Sequence, residues 1–306
     1  MKYQGSVAGR DAQFSVDKEG VRLGTLFLDY ADVAALRPIN HRVFIDTLAG
    51  ETIEISMLGF SYDGFWEDLT RCFGARSLEA LFVEEAQLML CEGEYAIPGD
   101  SGRSLIALYT DSVCILPQNC HAVRIPLCFT ENISLSGYSI SITMLSGVQY
   151  TVSKMGYDTK PFYERMTKAA AKVKQTREQL LEKAPITAPF THKGLFRTAQ
   201  SEQYWNAAIT ENACALEFFT QEDTATYLYR FREPADLFCL KLQEATEAMG
   251  IHREIIYLPE EKIAENPLYR MAVARSEAVR FLRAKIDGRL IHNASHAQRL
   301  EEYLSK

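Results

Sequence analysis

No apolar run approaches the ~20 residues that a membrane helix needs, so no span is expected anywhere in the 306 residues. The first residues, Met1-Lys2-Tyr3-Gln4-Gly5, lack the charged-then-apolar layout of a signal peptide. A cytoplasmic location is the expectation. Cysteine is sparse and odd in number, seven scattered residues with no C-x-x-C, which argues against a disulfide framework. Cys114, Cys120, Cys128, Cys214 and Cys239 sit mostly in apolar segments and are expected to act as small buried hydrophobes. A glycine-rich phosphate loop, an H-E-x-x-H and paired acids in a pocket context are all missing. Basic excess is missing too. Lys and Arg total 33 against 40 Asp and Glu, a net charge of −7, which disfavours binding of nucleic acid or anionic lipid by the whole surface. These absences lead to a non-enzymatic protein with no catalytic, cofactor or metal residues.

What is present is a repeat. Residues 45–69 and 142–166 align without a gap at an offset of 97. Ile45, Leu48, Gly50, Ser56, Gly59, Phe65 and Glu67 fall on Ile142, Leu145, Gly147, Ser153, Gly156, Phe162 and Glu164. Self-similarity of that kind marks a duplicated structural unit. Each copy alternates apolar and polar residues, turns at Ala49-Gly50 or Ser146-Gly147, and alternates again, the pattern of a half-buried hairpin. After Gly59 or Gly156 the spacing becomes helical, with Phe65, Leu69 and Phe73 on one face. Short strands are expected upstream at Ala12–Val16, Val21–Leu23, Leu26–Leu28 and Asp32–Leu36, with Pro38–Asn40 a connector. Leu105–Tyr109, Ser112–Leu116 and Val123–Ile125 are expected strands of the second copy. Residues 74–92 suggest a further amphipathic helix carrying Leu78, Leu81, Phe82 and Leu88.

The fold class expected is α+β, with two tandem small antiparallel β-barrels and a mainly helical C-terminal domain bearing a β-hairpin. The boundaries are drawn at 1–92, 93–184, a proline-bearing linker at 185–192, and 193–306. In the last domain, Leu216–Phe219 and Tyr227–Phe231 form the hairpin across Glu222-Asp223, a helix follows from Leu237 to Ala245, and 260–304 is helical.

Six or seven short antiparallel strands followed by one helix resembles the pleckstrin-homology-like (PH/GRAM-like) superfold. The resemblance covers residues 3–180, on strand order and on the helix aromatics Phe65, Trp66, Phe162 and Tyr163. It implies barrels closed at one end by those aromatics, and a binding or adaptor module whose groove beside the open sheet edge receives an extended peptide. Members that bind inositol lipids use a basic pair in the first hairpin. Here those loops hold Arg10 and Arg103, each accompanied by an Asp, so inositol-lipid binding is not expected.

Other constellations are weaker. Gly99-Asp100-Ser101-Gly102 spells a serine-protease nucleophile loop, with His41 upstream, but Gly, Asp and Ser are ordinary turn residues. His292 and His296 would share a helix face, with Glu301 or Glu302 near, and are read as solvated rather than metal-binding. Tyr204, Trp205, Tyr227, Tyr229 and Phe231 suit a core better than a ligand groove. Arg270, Arg275, Arg280, Arg283 and Arg289 form a basic stretch with an apolar stripe from Leu268 to Ile286. It is expected to dock on the chain's own acidic body, with an anionic partner as the rival. The expected function is therefore protein or peptide binding, and the alternatives are a membrane-surface or lipid-binding role or an enzyme with an unrecognised site in the C-terminal domain.

Overall fold

The two copies of the repeat fold alike. In the computed structural model, residues 2–83, 85–183, 204–209, 211–219, 224–249 and 253–292 are described, with 177–183, 204–209, 215–219, 224–228, 246, 253 and 286–292 described by backbone alone. The first unit runs β1 (Lys2–Val7), β2 (Arg10–Val16), β3 (Gly20–Leu23), β4 (Leu26–Asp29), β5 (Val33–Ile39), β6 (Arg42–Thr47), β7 (Thr52–Ser56) and α1 (Tyr62–Ala80). The second runs β8 (Gln87–Ile97), β9 (Asp100–Tyr109), β10 (Ser112–Pro117), β11 (Val123–Pro126), β12 (Thr130–Ser136), β13 (Ser139–Met144), β14 (Gln149–Ser153) and α2 (Thr159–Lys183). From β4 and β11 onward every strand and helix of the second unit starts 97 residues after its counterpart.

Each unit is one seven-stranded antiparallel sheet, ordered β4-β3-β2-β1-β7-β6-β5 and β11-β10-β9-β8-β14-β13-β12. The first strand of each thus joins the two halves. Where β1 crosses onto β7, a Cβ on Gly5 would meet the Ser56 carbonyl at 2.6 Å, and in the second unit Gly93 meets the Ser153 carbonyl at 2.7 Å. Only glycine allows that approach. The hairpin turns are three residues long rather than two. Thr47 N–H donates to the Glu51 carbonyl, and Gly50 and Gly147 both sit at φ +85, the left-handed position such loops need.

Phe65, Leu69 and Phe73 are fully buried among Phe14, Ile45 and Ile55, and Phe162 and Met166 among Ile106, Ile142 and Val152. Trp66 and Tyr163 are only partly buried.

Three expected elements are corrected. The helix proposed over 74–92 is two things: α1 continues to Ala80, and Gln87–Ile97 is strand β8. Leu78 and Leu81 do face apolar surface, but it is the outer face of the second sheet, where they meet Ala107, Cys114 and Leu116. With the core on its other side, β10 is buried at every position, and that cover explains its unbroken apolar run. Pro38 and Ile39 belong to β5 rather than to a connector, which an edge strand tolerates.

The C-terminal region contains β15 (Tyr204–Ile209), β16 (Ala213–Phe219), β17 (Thr224–Phe231), α3 (Ala235–Met249), α4 (Glu260–Glu265), α5 (Pro267–Arg275), α6 (Glu277–Lys285) and β18 (Ile286–His292). The expected hairpin is the centre of a four-stranded sheet, β15-β16-β17-β18. The third correction lies here, because 260–304 is not continuously helical. Asn266 ends α4 and caps α5, its side chain accepting from Leu268 N–H at 3.0 Å. Ser276 separates α5 from α6 in extended conformation. Ile286–His292 pairs with β17, whose edge it covers. Phe231 stacks on Phe238 with ring centroids 4.0 Å apart, in a core with Leu242, Ala272, Val279 and Leu282. Among the described residues no helix is long and apolar enough to cross a membrane. The linker at 185–192 and the Glu222-Asp223 turn lie outside the described residues.

Candidate binding surfaces

The sheet edges of the two units differ although their sequences are in register. The outer edge of β5 is already paired. Leu36 N–H donates to the Gln118 carbonyl at 2.7 Å, Cys120 N–H donates to the Ala34 carbonyl at 2.8 Å, and Ala35 bridges Asn119. The partner is the β10–β11 loop of the second unit. The equivalent of β5 in the second unit is β12, the terminal strand of its sheet. Its pairing with β13 carries the same bulge, between Thr130 and Asn132, as β5 carries between Val33 and Ala35. The outward N–H of Leu36 therefore maps to Ile133, and that of Pro38, which proline lacks, maps to Leu135. Among the described residues neither outward group on β12 has a partner. Residues 132–136, Asn-Ile-Ser-Leu-Ser, carry no charge and no proline, and α2 packs beside them. Both edges carry the bulge, but the proline and the covering loop that blunt β5 have no counterpart at residues 132–136 of β12 among the described residues.

The arginines do not form one exposed face. Arg270 reaches into the first unit, 2.7 Å from Asp32 and 3.3 Å from Asp29. Arg275 donates to the Ala80 carbonyl at the end of α1 and, at 3.2 Å, to the Ala248 carbonyl of α3. Burial lowers its pKa. Arg280 donates to the Val273 and Ala274 carbonyls, closing the end of α5. Arg283 donates to the Ile255 and Leu258 carbonyls at 2.5 and 2.8 Å and pairs with Glu260 at 2.6 Å. Arg289 lies on β18, not on the helix, and its side chain is outside the described set. Internal docking was expected through carboxylates, but backbone carbonyls take much of that role.

A cavity of about 280 Å³ lies between the second unit and α3, α5 and α6. Met144, Val148 and Tyr150 line it from the sheet, and Lys241, Glu247 and Arg275 are among its charged lining. Glu247 is 5% exposed. It accepts from Gln243 at 3.0 Å and from Ser146 of the second unit at 3.4 Å. Burial raises its pKa to about 7, against the pull of those two donors and with a small push from Glu244. Tyr150 is pushed up by burial and then by Glu247 and Glu244. Lys241 is bonded to Glu244 at 3.0 Å and Glu277 at 3.3 Å, not to Glu247.

On the sheet side Arg124, also lining the cavity, is 4% exposed at its side chain. It pairs with Asp111 at 2.7 Å and Glu85 at 3.3 Å and donates to the Phe82 carbonyl at 3.0 Å. Neither Arg124 nor Glu247 stands out in the sequence. Arg124 occupies the position of Phe27 in the first unit, and Glu247 sits on an amphipathic helix like any solvated acid. The one signal for Glu247 is that no basic residue stands three or four positions away on α3.

The remaining candidates separate. His41 sets its ring edge-on to Tyr62 at 5.2 Å in the first unit, while Ser101 lies in the β8–β9 hairpin bonded to Asp100, so the two are not brought together. Asp100 instead accepts from Tyr95 at 2.6 Å and Asn119 at 3.0 Å. His292 ends a strand rather than riding a helix, and His296, Glu301 and Glu302 lie outside the described residues. Tyr229 and Phe231 are core residues, and the side chains of Tyr204, Trp205 and Tyr227 are outside the described set. Arg10 is exposed at the start of β2. Arg103, with Trp66 and Lys154, lines a groove of about 740 Å³ between the two units that Glu92 and Glu94 also line.

No family model matches the chain, and no curated protein matches it. Among solved structures it is similar to the C-terminal domain of an unknown protein from Leishmania infantum, at 10% identity and a TM-score of 0.28, over 36% of this chain and 97% of that one.

Proposed function

We propose that the chain is a non-catalytic recognition protein built on two pleckstrin-homology-like units, and that it takes an extended peptide segment onto the β12 edge of the second unit. The strand order, with β1 or β8 joining both halves and a helix after the last strand, supports the barrel reading. The observation that carries the function is the asymmetry of the edges. Residues 118–120 of this chain already lie along β5, so that edge type accepts an extended segment, and the matching edge of β12 stands open among the described residues. Main-chain hydrogen bonds would give affinity, and pockets beside the strand would give selectivity.

The test uses Leu135→Pro. Pro38 occupies the same place in β5, so the strand backbone accepts proline there and the substitution removes an outward N–H; because the Leu135 side chain packs against the core of the second unit, Leu135→Ala, which keeps the N–H, is the control. A peptide library is panned against the intact chain, and the selected peptides are titrated against all three forms. Affinity lower by at least about tenfold in the proline variant supports strand addition. Equal affinity, or peptides that select another surface, sinks it.

A further inference from the structure

We infer that the cavity between the second unit and helices α3, α5 and α6 binds a small zwitterion of amino-acid type, with its ammonium at Glu247 and its carboxylate at Arg275. This site is separate from the β12 edge. Two charges line one space without meeting. Glu247 is buried and, among the described residues, takes hydrogen bonds only from a neutral amide and a hydroxyl. Among the described residues Arg275 donates only to two backbone carbonyls and has no carboxylate partner. The other ionic groups here are already compensated, Arg124 by Asp111 and Glu85, and Lys241 by Glu244 and Glu277. A buried charge left without an opposite charge is costly, and Glu247 and Arg275 of opposite sign line the same cavity without pairing.

A ligand carrying both charges compensates both. One carrying a single charge leaves the other end uncompensated. The guanidinium spends a donor on each carbonyl and keeps others for a carboxylate, since arginine has five N–H groups. The walls contributed by Met144, Val148 and Ile97 are apolar, which selects an apolar body between the charged ends. The volume, about 280 Å³, suits one small molecule and is near the lower limit for ligand pockets.

Isothermal titration of the intact chain with L-leucine, L-methionine and L-phenylalanine tests this. 4-Methylpentanoate and isopentylamine serve as leucine analogues lacking one charge. At least one amino acid is expected to bind, each analogue at least about tenfold more weakly than leucine, and Glu247→Gln and Arg275→Lys to weaken binding by a similar factor. Failure of all three amino acids to bind below about 10 mM overturns the inference, as does an analogue binding as tightly as leucine. Should a variant not fold, amide shifts in the unaltered chain decide. Changes centred on Ser146, Val148, Ala248 and Ser276 support the site, and changes centred elsewhere refute it.

Discussion

Arg124 shows how one residue joins three parts of the chain. Its guanidinium holds Asp111 of the β9–β10 turn, Glu85 of the connection after α1 and the carbonyl of Phe82. Removing one member of a buried ion pair leaves an uncompensated charge, at a cost of about 3–5 kcal/mol. Arg124→Ala should lower stability by that amount in denaturant titrations, and Arg124→Ala with Asp111→Ala should recover part of it. Phe65 belongs to a different class, being fully buried and edge-on to Tyr3 at 5.2 Å. Phe65→Ala should cost about 3–5 kcal/mol, and a midpoint that barely moves would mean the ring is not in the core. Glu247 supplies the pH dependence. Its folded pKa of about 7 lies above its ordinary 4.5, so the folded chain holds this proton more tightly than the unfolded chain. The protonated form therefore favours folding, and stability falls as pH rises from about 4.5 to about 7, then levels. Ser146 and Gln243 donate to it and Glu244 repels its charge, while the cations that line the same cavity, Lys241 and Arg275, are bonded to other groups. The loss is about 3 kcal/mol at most, and Glu247→Gln should flatten that part of the profile. An unchanged profile would place the titration elsewhere.

At the scale of elements, the repeat was legible because its signals are local. Period two on either side of a left-handed glycine, followed by helical spacing of Phe65, Leu69 and Phe73, needs no tertiary knowledge. What was not legible depended on what lies opposite. The first half of β8 reads as part of the preceding helix because Leu88 continues the apolar spacing of Leu78, Leu81 and Phe82, although in the strand Leu88 and Leu90 are exposed and Cys91 and Tyr95 are buried. Strand β18 was hidden inside a basic stretch because only the open edge of β17 makes it a strand. The cavity was hidden for the same reason, since its walls come from β11, β13, β14, α3, α5 and α6, elements spread along the sequence. The edge asymmetry can be read directly by hydrogen exchange. The amides of Leu36 and Cys120 are bonded across the two units and should be protected. The amides of Ile133 and Leu135, on the equivalent edge, should exchange much faster. Equal protection at Ile133 and Leu36 would mean that β12 is already covered, and strand addition there would be excluded.

On the scale of the whole molecule, the arginines of the C-terminal region tie the three parts together. Arg270 fixes α5 to Asp29 and Asp32 of the first unit, and Arg275 links the end of α1 to α3. Arg283 ties α6 to the carbonyls of Ile255 and Leu258. An exposed ion pair contributes only ~0–1 kcal/mol, but a hydrogen bond from a charged group contributes about 1.5–3 kcal/mol. The double variant Arg275→Glu with Arg283→Glu removes such donors and sets carboxylates against carbonyl oxygens. It should lower the melting temperature by roughly 10 °C, at ~3 °C for each kcal/mol in a chain of this order of size. The drop should be the same with or without heparin or anionic vesicles, because both guanidinium groups are engaged inside the chain. Salt should change it little, since charges in partly buried hydrogen bonds are screened less than exposed ones. An exposed anion-binding face predicts the reverse: an unchanged melting temperature, and retention on heparin that is lost in the variant and weakened by salt. That outcome would move these arginines from the interior of the assembly to its surface, and with them the assignment of α5 and α6 as the elements that lock the C-terminal region onto the two units.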